Sequence, residues 1–274
     1  MTQSVAIITG ASSGMGKAAA ELFAQKGWQV FGGARHVDAI PQQTNIHGYR
    51  LDVTDEDSVT TFMTAVMQET KRVDVLINVV GYGEYGPVEE VDVAAVETEF
   101  QTNYFGAVRM VQAVLPTMRQ QGAGRIVNVS SGVGNVYMPT GSYYSASKAA
   151  LQIWSDTLNL EVQPFGIQAT VVMPGATKTN FLPKMAASFK RHTNPGSAYQ
   201  PLMAGVQKMT AGYQANATAA DLAVLFYRAA TDNKPKLRYF NAISDRISVY
   251  VARNHPNLWH RLMTRNTARM MNAK

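Results

Sequence analysis

Six short runs of β-branched and aliphatic residues constrain this chain more than any other feature. They fall at residues 5–8, 30–35, 46–51, 73–78, 126–129 and 167–173. Runs this short and this apolar read as strands buried on both faces. Between most of them lie stretches with helical spacing. Residues 17–26 are closed by Gly27. A second segment is opened by Thr54 and Asp57 and ends near Thr70. A third spans 93–121. A fourth bears Tyr144 and ends near Val162, before Pro164 and Gly166. This alternation predicts an α/β fold, a doubly wound parallel sheet with helices on both faces. No repeat, linker or low-complexity stretch divides the 274 residues, so residues 1–274 read as one domain.

The first run feeds Thr9–Gly10–Ala11–Ser12–Ser13–Gly14–Met15–Gly16 and then a helix. A strand, a glycine-rich turn and a helix start present backbone N–H groups to a phosphate. The end of the second strand bears on the nucleotide's identity. An NAD site places an acid about 20 residues after the glycines to hold the ribose 2′-hydroxyl. Ala34, Arg35 and His36 stand there instead, and an arginine can grip a 2′-phosphate through two bonds. NADP(H) is therefore expected in preference to NAD(H). Asp52 and Val53 follow the third strand, and Asp52 reads either as an adenine contact or as a turn residue. Asn78 ends the fourth strand, and Gly81, Tyr82 and Tyr85 follow at the same sheet edge.

The fifth strand opens into Ser130 and Ser131, and the next helix carries Tyr144 and Lys148 four residues apart, on one face. An ammonium beside a phenol favours the phenolate and is expected to lower the tyrosine pKa toward working pH. A hydroxyl at Ser131 can orient a carbonyl or alcohol oxygen toward that tyrosine. These three groups move protons but cannot accept a hydride, so the chemistry needs a cofactor.

Composition removes other classes. There is no cysteine, which excludes disulfides and thiolate chemistry, and the five histidines lack metal-ligand spacing, so no metal is expected. No apolar run reaches the ~18 residues that would span a bilayer. The chain starts almost directly on a strand, and a cytoplasmic protein is expected. The net charge of +6 is gathered at one end: from Arg228 onward there are ten basic residues against Asp232 and Asp245. That makes the basicity a property of the tail, and no nucleic-acid partner is expected. Residues 180–213 lack clean periodicity but carry Phe181, Met185, Phe189, Tyr199 and Met203, and read as a mobile apolar lid over the sheet edge. The tail, 241–274, reads as a helical extension. Its segment 257–271 is amphipathic, with Arg261, Arg265 and Arg269 in a stripe. The expectation is that it packs on the body or on a subunit with a solvated arginine face, in preference to lying on an anionic membrane.

Taken together, Gly10, Gly14 and Gly16, Asp52–Val53, Asn78 with Gly81, Asn103, Ser131, Tyr144 with Lys148, and Pro174–Gly175 with Thr179 stand in the order and spacing of one family. Over residues 4–240 the chain resembles the short-chain dehydrogenases/reductases, which have a Rossmann-like fold. The likeness is to hydroxysteroid- or retinol-dehydrogenase-like members or bacterial carbonyl reductases. The resemblance implies an NADP(H)-dependent oxidoreductase that interconverts a carbonyl and an alcohol. It makes Tyr144 the general acid/base, Lys148 its partner and a ligand of the nicotinamide ribose, Ser131 the orienter of substrate oxygen, and Asn103 the holder of a relay water. Gly10, Ser12, Ser13, Gly14, Met15 and Gly16 would surround the pyrophosphate and adenosine. Pro174, Gly175, Thr177 and Thr179 would sit at the nicotinamide amide. Asp52, Val53, Asn78 and Gly81 belong to the same cofactor set. The lid, Tyr82, Tyr85 and Met138 imply an apolar or aromatic ketone or aldehyde, and the family implies a homodimer or homotetramer. One departure stands out: Val79 and Val80 replace the Asn-Ala usual after Asn78, which puts local sheet stability in question. The other reading is an NADP-binding regulatory sensor without turnover.

Overall fold

The computed structural model describes residues 3–178, 181–211, 215 and 217–272. Its elements in chain order are β1 (Val5–Thr9), α1 (Gly14–Gln25), β2 (Gln29–Ala34), β3 (Ile46–Arg50), α2 (Glu56–Glu69), β4 (Val75–Asn78), α3 (Val93–Phe100), α4 (Gly106–Gln121), β5 (Gly124–Val129), α5 (Ser142–Val162), β6 (Ile167–Met173), β7 (Thr177–Lys178), α6 (Phe181–Arg191), α7 (Gln200–Ala211), β8 (Ala217–Thr218), α8 (Ala219–Thr231), β9 (Arg238–Phe240), α9 (Ile243–Asn254) and α10 (Pro256–Asn272).

Seven strands form one sheet in the order β3-β2-β1-β4-β5-β6-β9, and every pair is parallel. The sheet is covered on both sides, which is why β1, β4 and β6 are largely apolar, while the edge strand β3 keeps His47, Tyr49 and Arg50. In β1, Ala6 and Ile8 pack with Phe23 of α1 and Phe226 of α8. Val5 and Ile7 pack on the other side with Phe62 of α2, Met110 of α4 and Leu158 of α5. The fold is therefore the Rossmann-like α/β arrangement the sequence implied. The strand order reverses between β1 and β4, the place where such sheets open a crevice at their carboxyl ends.

Several local expectations change. Asp55, not Thr54, caps α2: its side chain accepts from the Asp57 amide. The segment read as an irregular lid is mostly helix. α6 and α7 bury Met185, Phe189, Met203 and Val206 against Tyr85 and Tyr144, and β7 pairs with β8 nearby. Its apolar residues look aperiodic because two short helices of different facing are joined through Pro195 and Gly196. Residues 179, 180, 212–214 and 216 lie outside the described set.

The C-terminal extension holds two helices where one was read. α10 packs on α7, where Met270 fills the space above Gly205. The indole of Trp259 donates to the Tyr137 carbonyl at 3.3 Å. Arg261, Arg265 and Arg269 face outward. No described helix is long and apolar enough to cross a membrane.

Candidate active site

The glycine-rich turn is built to meet an anion. Gly10 and Gly14 adopt left-handed backbone, with φ of 72° and 52°. A Cβ on Gly16 would stand 2.3 Å from the Gly10 carbonyl oxygen, so only glycine lets α1 begin so close to the turn. Ser13 caps α1 with extended backbone but makes no side-chain bond to the first turn, and that turn carries no acid. Its first N–H groups are left for a ligand.

A groove of about 670 Å³ runs from this turn along the sheet edge. It gathers Gly10, Ser12 to Gly16, Arg35, Asp52, Val53 and Gly81. Burial would raise the Asp52 carboxyl, but bonds from the Thr54 amide and hydroxyl, with smaller help from Arg35 and Arg50, hold it below its ordinary value. Asp52 thus fixes its own turn, accepting from Thr54 at 3.0 and 2.7 Å. Unpaired N–H groups at one end and an exposed cation at the other fit an adenine dinucleotide phosphate. A smaller hollow of about 410 Å³ lies at β9 and the start of α9, and none of the sequence-selected residues lines it.

Asn78 is spent inside the sheet: its amide donates to the Asn128 side chain at 2.9 Å, and Asn128 donates in turn to Ser155. Val79 and Val80 do not leave the end of β4 loose. Their amides reach the Thr9 hydroxyl, at 3.0 and 3.5 Å, and their side chains pack on opposite faces of the sheet. Thr9 takes over the tethering that the family's second asparagine would provide. Pro174, Gly175 and Thr177 follow β6, beyond Ser131, whose hydroxyl lies 3.5 Å from the Pro174 carbonyl. Thr179 lies outside the described residues.

The four residues singled out for chemistry converge. Tyr144 and Lys148 are buried on one face of α5, with the ammonium 5.9 Å from the centre of the Tyr144 ring. Lys148 donates to the Val129 carbonyl at 3.0 Å. The two serines divide. Ser130 is bonded to the Lys148 carbonyl and accepts from Gln152, so it is tied into α5. Ser131 is the serine whose hydroxyl bears on Tyr144. Asn103 sits in a π-helical turn, residues Gln101–Phe105, between α3 and α4, a distortion common at functional sites. Its carboxamide accepts from the Tyr82 amide and donates to the Tyr82 carbonyl and to Ser147. It ties the loop after β4 to α5. Gly81 fits between: a Cβ there would meet the Lys148 ammonium at 2.9 Å and the Asn103 oxygen at 3.0 Å.

The electrostatics depart from the expectation that Lys148 lowers the Tyr144 pKa. Burial dominates and pushes the Tyr144 hydroxyl well above its ordinary value, although the Ser131 bond pulls the other way. Burial likewise brings Lys148 down to about 8. In a dry pocket the desolvation of each charged form outweighs a neighbour nearly 6 Å from the ring centre.

Two acids escaped the sequence reading. Glu99 is fully buried beside Asn103. Glu84, also buried, accepts from Ser188 at 2.7 Å, from Arg191 through both its oxygens at 2.9 Å, and lies 3.0 Å from His192. It latches α6 to the loop that carries Tyr85. Only the spacing of Glu99, four before Asn103, offered a signal.

Comparison with known proteins agrees with this geometry. The short chain dehydrogenase profile matches residues 4–188. An uncharacterized oxidoreductase of Bacillus subtilis, YusZ, is 34% identical over 254 residues, covering 87% of this chain and 89% of that protein. A 3-ketodihydrosphingosine reductase of Bacteroides thetaiotaomicron is 40% identical over 184 residues, 66% of each. Among solved structures, a short-chain dehydrogenase from Streptomyces avermitilis superposes with a TM-score of 0.76 at 29% identity, covering 96% of this chain and 97% of that one. Two at 22% identity share the fold. One is a Burkholderia cenocepacia dehydrogenase in complex with NADP, with a TM-score of 0.75 and coverage of 95% and 97%. The other is a Burkholderia phymatum dehydrogenase in complex with NAD, with a TM-score of 0.80 and coverage of 93% and 95%.

Proposed function

The chain belongs to the short-chain dehydrogenase/reductase family, and on that footing we propose that it is an NADP(H)-dependent oxidoreductase working on an apolar or aromatic ketone or aldehyde. The observation that carries this reading is the convergence of Ser131, Tyr144, Lys148 and Asn103 behind Gly81 and Gly83, which line a groove that also offers Arg35. Arg35 would hold the 2′-phosphate, and the first turn of α1 the pyrophosphate. The bound nicotinamide would supply the hydride that the protein's own side chains cannot.

Tyr144 then manages the proton. A hydroxyl whose pKa is raised by burial stays protonated at neutral pH, which suits a donor to the carbonyl oxygen and hence the direction of reduction. Ser131 orients that oxygen toward Tyr144. Lys148 stands behind the ring as the cation that favours phenolate once the proton has left. Asn103 acts by position, since its carboxamide is committed to Tyr82 and Ser147. Tyr85, Phe181, Phe189 and Met203 pack with Tyr144 in one apolar cluster. That supports an apolar substrate, as does the 3-ketodihydrosphingosine in the name of the Bacteroides relative. Ile153 and Leu160 of α5, with Phe105 at the start of α4, leave apolar surface exposed, which supports a homodimer or homotetramer through these helices. A monomer in sedimentation at micromolar concentration would sink that part.

The test is NADPH oxidation against a panel of ketones and aldehydes, with Tyr144→Phe beside the wild type. Turnover should fall at least ~100-fold in the variant, the usual worth of a positioned acid, while NADPH still binds. Tight NADPH binding with no turnover on any carbonyl would return the reading to a sensor.

A further inference from the structure

Glu99 is a buried acid with no part in the mechanism above. It sits on the last turn of α3, wholly shielded from water. One carboxyl oxygen accepts from the Asn103 amide at 3.2 Å and lies 3.5 Å from the Ser147 hydroxyl. The other is buried and makes no hydrogen bond of ordinary geometry among the described residues, although the Glu84 amide draws on the carboxyl. A carboxylate left half-bonded in a dry site is costly, and the cost falls if the group is neutral or opposes a cation.

A cation is close by. Ser147, which Glu99 touches, directly precedes Lys148, and Asn103, which Glu99 also touches, flanks Gly81 together with the Lys148 ammonium. The titratable and charged groups facing Glu99 are Lys148 and Tyr144 from α5, and Glu84, with Tyr82 and Tyr85, from the loop after β4. Lys148 is the one cation in that set.

We propose that Glu99 is a positioning residue of the site: its carboxyl fixes the Asn103 and Ser147 side chains and is the counter-charge that keeps the Lys148 ammonium protonated. The inference rests on reading Tyr144 and Lys148 as the reacting pair. The electrostatics agree. Burial pushes the Glu99 carboxyl up to about 8, against the pull of the Glu84 amide and of Lys148. Burial brings Lys148 down to about 8, and Glu99 is the group that opposes that fall. Each of the two groups thus favours the charged form of the other against the burial that opposes it.

The experiment is a pH titration of the intact protein labelled with ¹³C at the lysine ε-carbon. The Lys148 signal is identified by its loss in Lys148→Arg, and wild type is compared with Glu99→Gln. Glu99→Gln keeps the shape and the acceptor oxygen but removes the charge. The Lys148 midpoint should move down by about one unit, a tenfold loss of proton affinity. A purely structural role for Glu99 would leave that midpoint in place, and an unmoved midpoint overturns the proposal. Should Glu99→Gln fail to fold, infrared titration of wild type decides the matter. A Glu99 carboxyl that is ionised across the pH range in which Lys148 holds its proton supports the proposal, and one that stays protonated throughout that range overturns it. NADPH binding measured on the same samples separates the two readings. Lack of binding would sink the proposed oxidoreductase and leave the lysine titration to judge Glu99 alone.

Discussion

Gly81→Ala tests the site's geometry with one methyl group. The backbone at Gly81 is not left-handed, so alanine is tolerated conformationally. What the methyl meets is functional: the Lys148 ammonium at 2.9 Å and the Asn103 oxygen at 3.0 Å, where ordinary contact begins near 3.4 Å. Both groups must retreat by about half an ångström, and Lys148 does so against its bond to the Val129 carbonyl. The stability cost should be small. Alanine gains about 0.4–1 kcal/mol by restricting the unfolded chain, which offsets most of the crowding at the tip of a flexible side chain. The catalytic cost should not be small. If a displacement of ~1 Å costs ~100-fold, half of that costs ~10-fold, or ~1.4 kcal/mol in the barrier. The assay is kcat/KM for NADPH-dependent reduction of the best carbonyl from the panel, read beside the melting temperature. A tenfold to hundredfold fall with Tm within a few degrees is expected. Unchanged kcat/KM with Tm unchanged would show that the Lys148 ammonium does not act from this position. A collapse of Tm would show that backbone, not Lys148, absorbs the methyl.

Arg35→Ala should weaken NADPH binding by about 10- to 100-fold, the worth of a charge-assisted bond of ~1.5–3 kcal/mol, and leave NADH binding within about twofold. Equal losses for both cofactors, by fluorescence titration, would remove Arg35 from the 2′-phosphate. Glu84→Gln should loosen α6 by ~1–3 kcal/mol, seen as faster limited proteolysis within residues 181–191, with the sheet's amide protection unchanged. The Glu84 latch also sets a pH window. Burial alone would raise the Glu84 carboxyl, but bonds from Ser188, Arg191 and His192 outweigh it and hold the pKa below its ordinary value. An acid depressed in the folded state contributes fully above its unfolded pKa of about 4.3 and is lost as pH falls through the lower folded value. Proteolysis of α6 should therefore accelerate only on acidification below that point, and Glu84→Gln should remove the acceleration.

These predictions draw on two kinds of residue, and the sequence exposed only one of them. Gly10, Gly14, Gly16, Tyr144 and Lys148 were legible because local geometry dictates them. A turn that must go left-handed needs glycine, and two groups that must share a helix face must be four apart. The strands were legible for a related reason, since burial on both faces favours short β-branched and aliphatic runs, although β5 also buries Asn128. Other features depend on what the chain meets far away. Asn78 looks like a groove residue until its partner, Asn128, fifty positions on, takes its amide. The tyrosine pKa was misjudged because spacing reports a neighbour's sign but not how dry the pocket is. That dryness comes from Tyr85, Phe181 and Gly83 closing over the ring, and Gly83 is close enough that a Cβ there would touch Tyr144 at 3.0 Å.

Glu84 and Glu99 belong to this second kind. Neither acid belongs to any motif that the sequence presents. In the fold, α6 covers one and α5 the other. A buried carboxylate that nothing required would be replaced readily by an apolar side chain, because desolvating it costs more than its bonds return. Each of these two is buried against a cation that an apolar replacement would leave uncompensated: Arg191 for Glu84, Lys148 for Glu99. Glu84 ties down the helix that roofs Tyr144, and Glu99 borders the side chains that flank Lys148. The motif residues supply the reacting groups. These acids supply what a motif cannot encode, the fixed position and charge state of those groups once water has been excluded.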